Sequence, residues 1–161
     1  MNAYDVLIEH HELLHHLGEE MLAATPGTPE RQACIDRLLI EFDIHMRIED
    51  DIYYPALEAA STLIAIAHAE HRQIYDQLAV ALRTSSNSPD YQQEWESFMT
   101  VLLAHAIEEE RDLIPPPPSI RLTEDQLERL GLKMIVRMRQ LRDSTFEKLH
   151  VKARATLLRA F

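Results

Sequence analysis

The chain has 161 residues, 46% of them apolar, which suits one domain with a substantial core. Its net charge of −11 speaks against nucleic acid as a partner. A single cysteine, Cys34, excludes an internal disulfide and fits a reducing compartment, so a cytoplasmic location is expected.

The first segment, "MNAYDVLIEHHELLHHL", has no basic region ahead of an apolar run and does not read as a signal peptide. It opens a helix over roughly residues 2–24, ended by "TPGTP". A second helix is expected over roughly 29–59, with Pro29 in its first turn and a kink or early stop at Pro55. A third runs over roughly 61–84 to "TSSNSP", and its run "LIAIA" is far too short to span a bilayer. A fourth runs over roughly 89–114 to "PPPP". No strand-like alternation competes with the helical period. Short loops between four helices of this length predict an all-α, up-down-up-down four-helix bundle over residues 1–118.

Residues 119–161 form a different region. They carry ten of the sixteen Lys and Arg but five of the 27 acids. The capping box "TEDQ" from Thr123 to Gln126 starts an additional C-terminal helix that runs towards Phe161. Packing of this basic helix on the acidic bundle is the first expectation. Homodimer formation through it is the second, and membrane-surface binding the third, since the segment has few aromatics.

The stretch "HMRIEDDIYYP" at 45–55 returns sixty residues later as "HAIEEERDLIP" at 105–115. A shift of sixty maps His45, Glu49 and Pro55 onto His105, Glu109 and Pro115, and also maps His11 onto His71. Each half is therefore a helical hairpin with one His on its first helix and His plus Glu on its second. Helix positions four apart differ by about 40°, so His45 and Glu49 share a face, as do His105 and Glu109. All four histidines lie on apolar stripes.

One such histidine alone reads best as a core residue satisfied by hydrogen bonds. Four imidazoles and two carboxylates together need compensation, because isolated buried charges are very costly. A bound metal supplies it, through His nitrogens and carboxylate oxygens with no thiolate. The candidate ligands His11, His45, Glu49, His71, His105 and Glu109 are too many for one tetrahedral zinc. They suit two ions bridged by the glutamates. A structural bundle with adventitious metal is the bland alternative.

"EHHELL", "HMRIEDDIYYP", "EHRQI" and "HAIEEERDLIP" resemble the four motifs of the hemerythrin-like HHE cation-binding domains, over roughly residues 2–118. That resemblance implies two Fe ions with an oxo or hydroxo bridge inside the bundle, held by the same six residues. Manganese and zinc also accept this ligand set. A ferritin-like site ranks lower, because its Glu precedes its His by three residues. Oxygen-carrying hemerythrins use five His, one helix supplying two of them four apart, and an Asp. Here Tyr75 stands at that spacing from His71, while the first helix offers His15 after His11. His15 is expected as the fifth imidazole, or with Tyr75 as a group just behind the ligands.

Glu41, one turn before His45, is expected either to accept a proton from a ligand imidazole or to be a surface acid. His10 reads as a structural contact beneath the C-terminal helix. His68 is expected to stand behind the ligands and His16 to be solvated, while His150 belongs to the C-terminal segment and has no acidic partner at metal spacing. No nucleophile motif or nucleotide loop accompanies the cluster. The expected function is a non-haem di-iron protein that binds, senses or carries O2, NO or iron. The alternative is a di-iron enzyme that reduces O2, peroxide or NO, or repairs iron–sulfur clusters.

Overall fold

The computed structural model describes residues 1–160, the side chains of Thr145 and Glu147 excepted, so Phe161 at the end of the expected fifth helix lies outside the described residues. The described chain is all-helical: α1 (Ala3–Ala23), α2 (Pro29–Ile48), α3 (Ser61–Arg83), α4 (Tyr91–Asp112), α5 (Glu124–Asp143) and α6 (Thr145–Ala160). Helices α1 and α2 form one hairpin, α3 and α4 the other, and α1 closes against α4. Among the described residues no helix is long and apolar enough to cross a membrane.

Local signals start these helices. The Asn2 side chain accepts from the Tyr4 and Asp5 amides, and Asp5 accepts in return from the Asn2 amide, closing a capping box on α1. Thr28 caps α2 ahead of Pro29. Gly27, at φ 77°, makes the connecting turn in a conformation that side chains with a Cβ rarely adopt. The Thr123–Gln126 capping box starts α5 as expected.

The end of α2 departs from regular geometry. Residues Glu49–Tyr53 form a π-helical turn, and the Tyr54 amide donates to the Glu49 carbonyl five residues back. Pro55 explains the widening, since its ring would clash with a carbonyl one regular turn earlier. The chain then ends in short turns, Tyr54–Ala56 and Glu58–Ala60. The second half does the same at its matching position, where the Ile114 amide donates to the Glu109 carbonyl at 3.0 Å.

The expected single C-terminal helix is two. Ser144 adopts an extended conformation (φ −79°, ψ 116°), and its carbonyl accepts from the Lys148 amide in the first turn of α6. Ser favours this role because its short polar side chain competes with helix continuation. The break lets α5 cover α1 and α2 while α6 covers α2 and α3. Charge joins the layers: the Arg142 guanidinium grips Glu41 with two hydrogen bonds, and Arg154 reaches Asp43 at 3.3 Å. Jacketed outside as well as inside, α2 buries residues around its circumference, including Ile35, Leu38, Leu39, Phe42, Ile44 and Met46.

Two apolar clusters fill the core. One gathers Leu14, Met21, Phe42, Ile74, Trp95, Phe98 and Leu102. The other gathers Leu7, Ile48, Tyr53, Tyr54, Ala67 and Leu113. On each of the four bundle helices a histidine sits between the two: His11 between Leu7 and Leu14, His45 between Phe42 and Ile48, His71 between Ala67 and Ile74, and His105 between Leu102 and Leu113.

Gly131 lets α5 approach the N-terminus of α1. A Cβ there would stand 2.6 Å from the Met1 carbonyl oxygen and 2.7 Å from the Asn2 carbonyl carbon. Gly131→Val should therefore destabilise the fold by about 1–3 kcal/mol, because the clash is with backbone. Urea denaturation measures this, and an unchanged midpoint would mean that α5 is free to shift.

Candidate metal centre

The six expected residues meet between the two apolar clusters. His11, His45, Glu49, His71, His105 and Glu109 are each 5% exposed or less. Every histidine points its Nε2 inward. His45 Nε2 lies 2.8 Å from Glu49 Oε1, and His11 Nε2 lies 3.7 Å from the same oxygen and 3.1 Å from Glu109 Oε2. On the other side, His71 Nε2 and His105 Nε2 lie 3.0 and 3.5 Å from Glu49 Oε2. Donor atoms of His11, His45, Glu49 and Glu109 fall within 4.8 Å of one another, as do those of Glu49, His71 and His105. Glu49 belongs to both groups, one oxygen turned to each.

This arrangement fits metal ions better than hydrogen bonding. Despite these short contacts, His11 Nε2, His45 Nε2, Glu49 Oε1 and both carboxylate oxygens of Glu109 are buried without a hydrogen bond of suitable geometry. Such groups are costly in a core, and they converge on one space. Imidazole nitrogen with carboxylate oxygen, and no thiolate, is a donor set for first-row divalent ions.

The outward nitrogens are held as well. His11 Nδ1 is hydrogen-bonded to Glu110 at 2.7 Å and His105 Nδ1 to Glu70 at 2.6 Å, while His71 Nδ1 comes within 3.2 Å of Asp50 without hydrogen-bond geometry. Asp50 is shared with His68, whose Nδ1 stands 3.3 Å away at the surface. His45 Nδ1 instead meets His10 Nδ1 at 3.1 Å, and His10 Nε2 meets Glu41 at 2.9 Å. Glu41 thus reaches the site only through a second imidazole.

His15 is not brought to the cluster. Its side chain is 55% exposed and lies 3.5 Å from Glu19. The buried stripe of α1 runs through Ala3, Leu7, His10, Leu14, Leu17 and Met21, alternating steps of four and three. His15 falls just off that stripe, on its solvent flank. Tyr75 is also elsewhere: its ring packs edge-on against Phe42 and lies under the Arg154 guanidinium, 4.1 Å from the ring centre. His16 is exposed beside Glu20, and His150 is exposed.

Tyr54 is the group that spacing alone does not reveal. Its hydroxyl lies 3.3 Å from Glu49 Oε2 and 3.4 Å from His71 Nε2, and the residue is 2% exposed. The sixty-residue shift would have exposed the supporting groups, because it maps Asp50 onto Glu110 and His10 onto Glu70.

Electrostatics in the cluster are opposed and large. Burial lowers the pKa of His11, His71 and His105, but carboxylate partners outweigh it and raise them to about 10, 9 and 10. His45, wholly buried, is held down at about 3, with Glu49 only partly offsetting the loss of water. Burial and the charge of Glu49 push Glu109 up to about 7. Burial and the same charge raise the Tyr54 phenol far above its ordinary value, so it stays protonated. Burial would raise Glu41, but hydrogen bonds from His10 and Arg142 hold it at about 2.

The hemerythrin HHE cation-binding domain model matches residues 2–116. The chain belongs to the hemerythrin HHE cation-binding family. A hemerythrin HHE cation-binding domain-containing protein from Mycobacterium kansasii is similar in structure, with a TM-score of 0.90 and 56% identity, covering 100% of this chain and 99% of that one. The uncharacterized protein Rv2633c of Mycobacterium tuberculosis is 52% identical over 160 residues, 99% of each chain. The uncharacterized protein Mb2666c of Mycobacterium bovis matches to the same extent. The HHE domain match stops just short of α5 and α6, whereas the relatives span them.

The raised histidines set the pH response of this HHE domain without metal. Their folded pKa values exceed the ordinary 6.5, so charged pairing contributes stability that is full below 6.5 and lost as pH rises through about 9–10. The melting temperature of chelator-treated protein should therefore fall across that window. Metal displaces those protons, so the loaded protein should fall less. A melting temperature of chelated protein that stays level across the window would overturn this assignment of charge.

Proposed function

We propose that the HHE domain holds two iron ions between His11, His45, Glu49, His71, His105 and Glu109, and that the centre binds O2 or NO, or carries iron itself. The observation that supports this reading is Glu49, which turns one oxygen to His11 and His45 and the other to His71 and His105. A carboxylate so placed suits a bridge between two ions. Four imidazole nitrogens and two carboxylates cannot fill two octahedral spheres, which leaves positions for a small exogenous ligand. The bound ions would supply Lewis acidity and redox change. The protein's own part is to orient four Nε2 atoms, to exclude water with two apolar clusters, and to keep the Tyr54 O–H beside Glu49.

Tyr54 favours a second reading, a di-iron enzyme that reduces O2 or peroxide. Its phenol O–H, 3.4 Å from His71 Nε2, is placed to hydrogen-bond an oxygen ligand bound there, and the positive charge of bound ions would lower its pKa towards proton donation.

Elemental analysis of purified protein should find two iron ions per chain, and exposure to O2 or NO should change the optical spectrum. Glu49→Ala and Glu109→Ala should each lose at least one ion. A single tetrahedral ion in the unaltered protein would defeat the reading, and two ions retained in Glu49→Ala would defeat the bridge. Tyr54→Phe separates the two functions. If the centre is an enzyme, peroxide turnover should drop about a hundredfold or more at unchanged metal content. If it is a binding protein, no turnover exists to lose.

A further inference from the structure

Three of the four inner histidines rest Nδ1 against a carboxylate: His11 on Glu110, His71 on Asp50 and His105 on Glu70. His45 alone rests on another imidazole. The sixty-residue repeat makes this difference informative, because it aligns His10 with Glu70. The same position in each half supports the His of the second helix, directly by a carboxylate in one half and through a histidine in the other.

We propose that His10 is a positioning residue for His45, fixed in one tautomer by Glu41 and, through Glu41, by Arg142 of α5, so that the C-terminal extension controls one half of the metal centre and not the other. This rests on the reading that the six residues hold metal.

The direction of every hydrogen bond in the relay follows from its two ends. For His45 Nε2 to offer a lone pair towards the space it shares with Glu49, its ring hydrogen must sit on Nδ1. That N–H then donates across 3.1 Å to His10 Nδ1, which must be the lone-pair nitrogen. The His10 hydrogen is thereby placed on Nε2, where it donates across 2.9 Å to Glu41 Oε2. Glu41 accepts it most strongly as a carboxylate, and Arg142 favours that form by donating to both oxygens, at 2.9 and 2.8 Å. Reversal would set a nitrogen lone pair against a carboxylate. His10 and His45 are 2% and 0% exposed, so water does not compete. Glu41 carries its charge through the physiological range, since its partners hold its pKa at about 2.

The two halves should then bind unequally. A carboxylate on Nδ1 strengthens the ligand through a charge-assisted bond, roughly twice as strong as a neutral one. His105 has that partner directly. His45 receives it only after one neutral imidazole, and only while α5 stays docked. Arg142 lies outside the region that the HHE family model matches, so this control is added to the bundle from beyond it.

The test is the release of iron to a chelator from the full-length protein, followed in time after loading with iron(II). His10→Phe and Arg142→Met should speed the release of one of the two ions ten- to hundredfold and leave the other unchanged. Glu70→Gln should speed the other ion alone, and combining it with His10→Phe should speed both. His10→Gln, whose amide oxygen can still accept from His45, should recover most of the retention. Both phases sped equally by Arg142→Met, or neither, would overturn the relay. Arg142 sits at the surface, 38% exposed, so its variant remains informative if His10→Phe does not fold. Unaltered protein that never holds two ions would refute the di-iron reading instead, which keeps the two failures apart.

Discussion

Six ionisable side chains lie in one layer of a helical bundle, sealed above and below by apolar residues, and the rest of the molecule is arranged around keeping them there. Isolated charges in such a layer would unfold a domain of marginal stability. The solution has two parts. Inward nitrogens and oxygens face a common space where a cation can satisfy them. Outward nitrogens each lie against a polar group, and these groups are drawn from neighbouring helices: Glu110 of α4 for α1, Asp50 at the end of α2 for α3, Glu70 of α3 for α4, and His10 of α1 for α2. Every helix of the bundle therefore holds the histidine of another. The site is part of the packing code of the four helices, as much as Leu14 or Phe98 is.

The repeat explains why so much of this could be read from the chain. A histidine and a glutamate four apart on an amphipathic helix share a face in any regular helix, and a shift of sixty that carries a third residue with it fixes which helices must meet. The six inner residues and the antiparallel hairpins follow from that arithmetic. What escaped it did so for physical reasons. Spacing puts His15 about 40° from His11 but does not say which flank of the stripe faces water. A regular helix would turn Tyr54 about half a turn away from His45, and only the extra residue of the π-helical turn brings it back towards the cluster. The break at Ser144 was hidden because apolar residues at helical spacing continue on both sides of it. Tyr75, which matched a ligand position by symmetry, is claimed by Phe42 of α2 and by Arg154 of α6.

The symmetry of the two halves is real at the ligands and fails around them. Tyr54 has Ile114 as its mate, and His10 has Glu70. Both departures fall on the groups that adjust a ligand or stand beside it, while the six inner residues keep their pattern. Two similar hairpins can differ in this way without disturbing the six inner residues. The direction of differentiation is legible in charge: the second half keeps carboxylates close, and the first half borrows one from further out, anchored by an arginine of the extension.

The division of that extension at Ser144 makes its two helices separable in what they guard. Helix α6 lies over Tyr75, Asp43 and the outer side of α2 and α3. Helix α5 carries Arg142 in its last turn, two residues before the break at Ser144. A protease that clipped the Asp143–Ser144 hinge would strip away a quarter of the basic residues, four of the sixteen Lys and Arg, and a strip of apolar cover, yet leave the grip on Glu41 on the retained fragment. The same cut made in the proline linker would take that grip with it.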